Sequence, residues 1–278
     1  MTLHALLALI LLGLSVGTLL AQTDPTRVEV VAHRGASADA PENTLAALKE
    51  GWRQGADAVE LDVWLTADHR VVLMHDEKLE RTTGAPGLVT TSTWSELRGL
   101  DAGSWKGPQW AGEPIPLLEQ ALETIPDGKR AFVEIKHGVE IVPHIAPLIL
   151  ASGKAPEQIV FISFSQPVCE AIKRELPAYE VLRLSGFKQD EDNGSYSPTI
   201  DSLIEQAKAA KLEGLDLSWK GPHDAESIQR IKDAGLFFAV WTVNTPETAQ
   251  EMAKLGAQSI TTDHPGKIRE WLAAGSGE

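Results

Sequence analysis

The sequence predicts a (β/α)8 TIM barrel with an added antiparallel hairpin strand and a small insertion after it, on three observations. Short β-branched or aliphatic runs alternate with helical patterns along most of the chain, as a parallel sheet requires. Nine runs read as strands, one more than the barrel needs. Two of them, residues 58–66 and 71–75, are separated only by Ala67, Asp68, His69 and Arg70. That is too short for a parallel crossover, so the two form a hairpin. Setting its second arm aside leaves eight parallel strands. A doubly wound open sheet is the rival architecture.

In chain order, residues 1–21 read as a leader. Ala5 to Leu20 is nearly unbroken apolar sequence ending in Ala21, a small residue at a cleavage point, although no Lys or Arg precedes the run. An uncleaved anchor is the alternative, but the run is short for a membrane span. The expectation is an exported protein, periplasmic or extracellular, with no stable membrane span once the leader is removed. Residues 22–278 form the barrel domain. Its strands are expected at 28–33, 58–66, 71–75, 131–136, 159–164, 181–184, 214–217, 237–243 and 259–262. Helices fall between them at 43–54, 117–124, 142–151, 168–175, 200–210, 225–233 and 246–254, several followed by the glycine that ends a helix. Residues 77–113, rich in Gly, Thr and Trp, lack a strand–helix unit and read as an insertion on the face where βα-loops build sites. The acidic stretch around residues 190–192 reads as a solvated loop.

Composition narrows the function classes. A formal charge of -14 argues against a general polyanion binder, so no nucleic-acid partner is expected. A local pocket for one small anion remains compatible with it. Cys169 is alone, which excludes an intrachain disulfide and reads as a small buried hydrophobe.

Chemistry-bearing residues collect at strand ends. Glu60 and Asp62 share one face of the second strand, an expensive arrangement unless a cation neutralises it or solvent reaches it. With a four-residue loop, the simplest hairpin register sets Thr66 against Val71, Trp64 against Leu73 and Asp62 against His75, with paired Cβ atoms about 5 Å apart. Glu134 and Lys136 form another same-face pair, either a structural ion pair or a third metal ligand beside a phosphate-binding lysine. The first strand ends in His33, Arg34 and Gly35. Two imidazoles at one mouth can divide acid and base duties, and a guanidinium can fork a phosphate. Together these point to phosphodiester cleavage assisted by a divalent cation.

The motifs carrying this constellation resemble the glycerophosphodiester phosphodiesterase family, among the phospholipase-C-like barrel phosphodiesterases. They are "AHRG…PENTL" from Ala32 to Leu45, "GADAVELDVWLTADHRVVLMHD" from Gly55 to Asp76 and "LERTT" from Leu79 to Thr83. The likeness continues through "GEPIPLLEQAL", "FVEIK", "FISF", "AVWTVN" and "ITTDHP". The resemblance implies hydrolysis of glycerophosphodiesters to glycerol 3-phosphate and an alcohol, through a cyclic phosphate. It implies His33 and His75 as the acid–base pair, and Glu60, Asp62 and Glu134 as ligands of one divalent cation, Ca2+ or Mg2+. It also implies Arg34 and Lys136 at the phosphate and Trp241 lining the substrate pocket. Glu42 would orient Arg34 or simply open a helix, and Asp263 would orient a neighbour or form a turn. Two rivals stand beside this reading: a lysophospholipase D-type enzyme using Trp94, Trp105 and Trp110 on lipids, and a non-catalytic barrel binding protein.

Overall fold

A computed structural model describes residues 27–274, so the leader expected over residues 1–21 lies outside the described residues. The strands are β1 (Glu29–Ala32), β2 (Ala58–Leu65), β3 (Val71–Leu73), β4 (Arg130–Ile135), β5 (Ile159–Ser163) and β6 (Glu180–Ser185). There follow β7 (Lys188–Gln189), β8 (Tyr196–Ser197), β9 (Gly214–Ser218), β10 (Phe237–Trp241) and β11 (Ser259–Thr262). The helices are α1 (Leu45–Arg53), α2 (Glu80–Thr83), α3 (Trp94–Leu97), α4 (Leu118–Glu123) and α5 (Val142–Ala151). They continue with α6 (Gln166–Glu175), α7 (Ile200–Ala209), α8 (Ala225–Asp233), α9 (Pro246–Leu255) and α10 (Pro265–Ala274).

Eight parallel strands close into the predicted barrel in the order β1, β2, β4, β5, β6, β9, β10, β11, with β11 returning to β1. Alternation along each strand divides the apolar residues into two sets. Val31, Ala58, Phe132, Val160, Leu182 and Ala239 fill the interior. Val30, Leu61, Val133, Phe161, Leu215 and Phe238 face the helices in a second, larger cluster. Cys169 belongs to that outer layer, fully buried, and burial pushes its thiol up to about 12.

The hairpin is present, but its register differs from the expected one by a residue. Leu65 pairs with Val71, Trp64 with Val72 and Val63 with Leu73. The cause is the turn. His69 takes a left-handed conformation (φ 63°), and the Thr66 amide donates to the Arg70 carbonyl, so Thr66 faces Arg70 around a three-residue loop. Met74, not His75, therefore lies opposite Asp62, and the Met74 amide donates to the Asp62 carbonyl. Because β1 ends at Ala32, β3 takes over the edge of β2 that β1 leaves free.

Two further differences concern polar segments. The acidic loop after β6 is pinched by the β7–β8 ribbon, and "DHPGKIREWLAA" ends the barrel with α10, where no helix was expected. Within residues 77–113, Leu79, Val89, Leu97 and Ala102 pack with Val72, Met74 and Ile115 into a third cluster, against which Trp64 and Trp94 lean. Among the described residues no helix is long and apolar enough to cross a membrane.

Candidate active site

The inward alternation of β2 and β4 delivers the acids. Glu60 follows Ala58 into the barrel, Asp62 follows Glu60, and in register Asp62 lies beside Glu134. All three are buried, at 3%, 1% and 8% exposure. Each offers an oxygen such that all the oxygens lie within 4.8 Å of one another. Among the described residues Glu60 Oε1 finds no hydrogen-bond partner, while Asp62 Oδ1 and Glu134 Oε1 face the Lys136 ammonium at 3.1 and 2.6 Å.

Three carboxylates this close cannot all ionise unaided. Burial raises Glu60 well above its ordinary value, and the charges of Asp62 and Glu134 add to the rise. Burial pushes Glu134 up to about 7, the Asp62 charge adding while Lys136 opposes. Burial would raise Asp62 too, but Lys136, Arg34 and His75 outweigh it and hold its carboxyl below the usual range. Oxygen-only donors, an orphaned buried oxygen and excess negative charge fit a hard divalent cation.

The loop after β1 is built to bring cations to the same place. Arg34 has a left-handed backbone (φ 53°), a costly conformation for a residue with a side chain, and its amide donates to Glu60 Oε2 at 2.8 Å. Its guanidinium lies 3.3 Å from Asp62 Oδ2 and donates to Glu42 Oε1 at 2.9 Å. Gly35 (φ 80°) presses against α1, where a Cβ would fall 2.3 Å from the Ala47 carbonyl carbon. Asn43, also left-handed (φ 57°), donates to Asp62 Oδ2 at 2.7 Å and accepts from the Asp62 amide at 3.0 Å. Thr44 then caps α1.

Each imidazole is tied at Nδ1 to a carboxylate. His33 meets Asp263 Oδ1 at 2.6 Å, and Ser37 and Asn244 hold the same carboxylate at 2.9 and 2.6 Å. Burial works to raise Asp263, but these partners keep its carboxyl well below the usual range. His75 meets Asp76 Oδ1 at 2.7 Å, and Arg81 bonds both Asp76 and Glu42. Burial lowers the His75 pKa, with Arg34 and Lys136 adding to the drop against Asp62 and Asp76. His75 reaches the mouth because the chain leaves β2 after the Met74 bond to Asp62, not by pairing with Asp62 itself.

A cavity of about 280 Å³ joins these groups. His33, Arg34, Glu60, His75, Glu134 and Lys136 line its polar side. Asp62 lies behind them, in contact with Arg34 and Lys136. Trp241 lines the opposite wall with its Nε1 bonded to the Asp216 carbonyl at 3.1 Å, and Phe164 stands edge-on to it. A second cavity of about 490 Å³ shares His33 and Arg34 and extends towards Trp105, Lys106 and His264.

Sequence reasoning left Glu42 and Asp263 between two roles, and both act as side-chain partners, of Arg34 and His33. It missed Asn43, Asp76 and Arg81 as partners, and Asp216 entirely. The signal for Asp216 was an acid at an inward position of an otherwise apolar strand, "GLDL".

Comparison with known proteins agrees with this architecture. Residues 33–267 match the model of the glycerophosphoryl diester phosphodiesterase family. A glycerophosphodiester phosphodiesterase of Caldanaerobacter subterraneus is 33% identical over 242 residues, covering 85% of this chain and 94% of that protein. One from Bacillus subtilis is 29% identical over 258 residues, covering 87% and 85%. A phosphodiesterase of Oleispira antarctica, solved in complex with the product sn-glycerol-3-phosphate, superposes with a TM-score of 0.77 at 30% identity. That match covers 88% of this chain and 96% of the other. With its barrel closed, its motifs gathered at one mouth and these likenesses spanning most of its length, the chain belongs to the glycerophosphoryl diester phosphodiesterase family.

Proposed function

We propose that the protein hydrolyses glycerophosphodiesters to glycerol 3-phosphate and an alcohol, with His33 and His75 as its acid–base pair. The observation that carries this reading is the paired imidazoles lining one cavity, each tied at Nδ1 to its own carboxylate. That tie makes Nδ1 the donor and leaves Nε2 for proton transfer. Arg34 and Lys136 bind the phosphoryl oxygens. Glu60, Asp62 and Glu134 hold one divalent cation, Ca2+ or Mg2+, which when bound neutralises charge on the phosphate.

In the first step the substrate's own glycerol hydroxyl attacks phosphorus. One imidazole takes its proton while the other protonates the departing alcohol, so that an O–P bond forms as the ester O–P bond breaks. Water then opens the cyclic phosphate with the two imidazoles exchanging roles. The leader read from the sequence supports a periplasmic or extracellular setting. Amino-terminal sequencing of the secreted protein should find it beginning at Gln22.

The test is one assay of glycerophosphocholine against a lysophospholipid, with and without added Ca2+ or Mg2+. Metal-dependent release of glycerol 3-phosphate from glycerophosphocholine, well ahead of the lipid, supports the reading. Preference for the lysophospholipid would favour a lipid-directed enzyme, and binding without turnover of either compound would favour a non-catalytic barrel.

A further inference from the structure

One acid in the smaller cavity takes no part in the chemistry above. Asp216 lies inward on β9, in register with Leu184 of β6 and Ala239 of β10, and is 1% exposed. Among the described residues its Oδ1 finds no hydrogen-bond donor and its carboxyl no ion-pair partner. It also stands outside the group of mutually close oxygens of Glu60, Asp62 and Glu134. A buried acid without a partner destabilises the fold, so its side chain calls for a ligand.

The surroundings define that ligand. Asp216 shares its cavity with the apolar groups Ile162, Leu184 and Trp241, and with His33, Arg34, Glu134 and Lys136. The Trp241 ring is held against Asp216 through the Asp216 carbonyl. A second phosphate would meet an acid there, and a cationic head group would meet Arg34, Lys136 and the divalent cation that Glu60, Asp62 and Glu134 would hold. A neutral hydroxyl suffers neither conflict. Burial, with the Glu134 charge adding to it, pushes the Asp216 carboxyl up to about 8. In either protonation state its unpartnered oxygen accepts from an alcohol hydroxyl, and when protonated the group donates as well.

We infer that Asp216 is a specificity-determining residue that hydrogen-bonds the terminal hydroxyl of the substrate's glycerol while Arg34 holds the phosphate. The inference rests on the phosphodiesterase reading. It assigns the glycerol to the smaller cavity and leaves the wider one, beside Trp105 and Lys106, for the departing alcohol.

The experiment compares kcat/KM for glycerophosphocholine with that for its analogue built on propane-1,2-diol. The analogue lacks the terminal hydroxyl and keeps the attacking one. Wild-type protein, Asp216→Asn and Asp216→Leu are assayed with Ca2+ present; the asparagine variant is isosteric and guards against loss of folding. Wild-type protein should prefer the full glycerol by about 100-fold. Asp216→Leu should bring the ratio to within about threefold of unity, and Asp216→Asn, whose amide still donates and accepts, should fall between. A ratio unchanged in both variants, or equal losses on both substrates, would overturn the inference while leaving the phosphodiesterase reading intact. Wild-type protein inert towards both compounds would overturn that reading and the inference with it.

Discussion

The two ends of the barrel handle buried charge in opposite ways. At the amino end, the inward positions of β1, β4 and β6 are Glu29, Arg130 and Glu180, and the guanidinium bonds both acids. Burial still lifts Glu29 above its usual value, but Arg130 works against it. At the carboxyl end, the same alternation along β2, β4 and β9 presents Glu60, Asp62, Glu134 and Asp216. Among the described residues, only Arg34 and Lys136 form side-chain ion pairs with any of these four. One end joins its two acids through a single guanidinium, and the other gathers four acids around two cations, the excess on which the proposed cation site rests. The lesson is that inward charge marks a site only where its partners fall short.

This contrast can be broken in order of expected effect. His33→Ala or His75→Ala should lower kcat by about 10²–10⁴-fold while the protein stays folded, checked by steady-state assay and thermal melts. Chelation by EDTA should lower activity by about 100-fold, with recovery on adding Ca2+ or Mg2+. At the other end, Arg130→Ala should cost about 2 kcal/mol of stability in a denaturant titration, because it leaves Glu29 and Glu180 unpaired. Its kcat per folded molecule should match the wild type. An Arg130 variant that lost turnover without losing stability would erase the distinction between the two ends.

The smallest effect is a pH dependence of the chelated protein. Glu134 binds its proton more tightly folded than unfolded, since its carboxyl rises from 4.5 to about 7. Folding is thus favoured below pH 4.5, and that advantage is lost as pH rises through about 7. Asp62 and Asp263, held below their usual 3.8, contribute in the opposite sense and lose their contribution only in acid. Relative to Glu134→Gln, the melting temperature of the chelated wild-type protein should therefore fall between pH 4.5 and 7.

Much of this was legible in the sequence because alternation and loop length are local. The eight parallel strands and the same-face pairs Glu60/Asp62 and Glu134/Lys136 follow from period-two patterning. The hairpin register did not, because one left-handed residue, His69, shifts the pairing by a full position. His75 still lines the cavity because β3 stops at Leu73, a termination that no pairing rule supplies. Partners distant in sequence stayed undecided or hidden as well. Asp263 meets His33 across the closure of the barrel, and Arg81 joins Glu42 to Asp76 from inside the insertion. Asp216 was missed because a lone acid carries no spacing signal, only its inward place in an otherwise apolar strand.

The central claim is that the acids of the carboxyl end are left in excess to hold a cation. Isothermal titration of chelator-treated protein with Ca2+ and Mg2+ tests it directly, with Glu134→Gln and Arg130→Ala alongside. Saturable binding of one ion per chain, weakened at least about tenfold in Glu134→Gln and kept in Arg130→Ala, is the predicted result. No saturable binding by the wild type, or equal binding in Glu134→Gln, would contradict it.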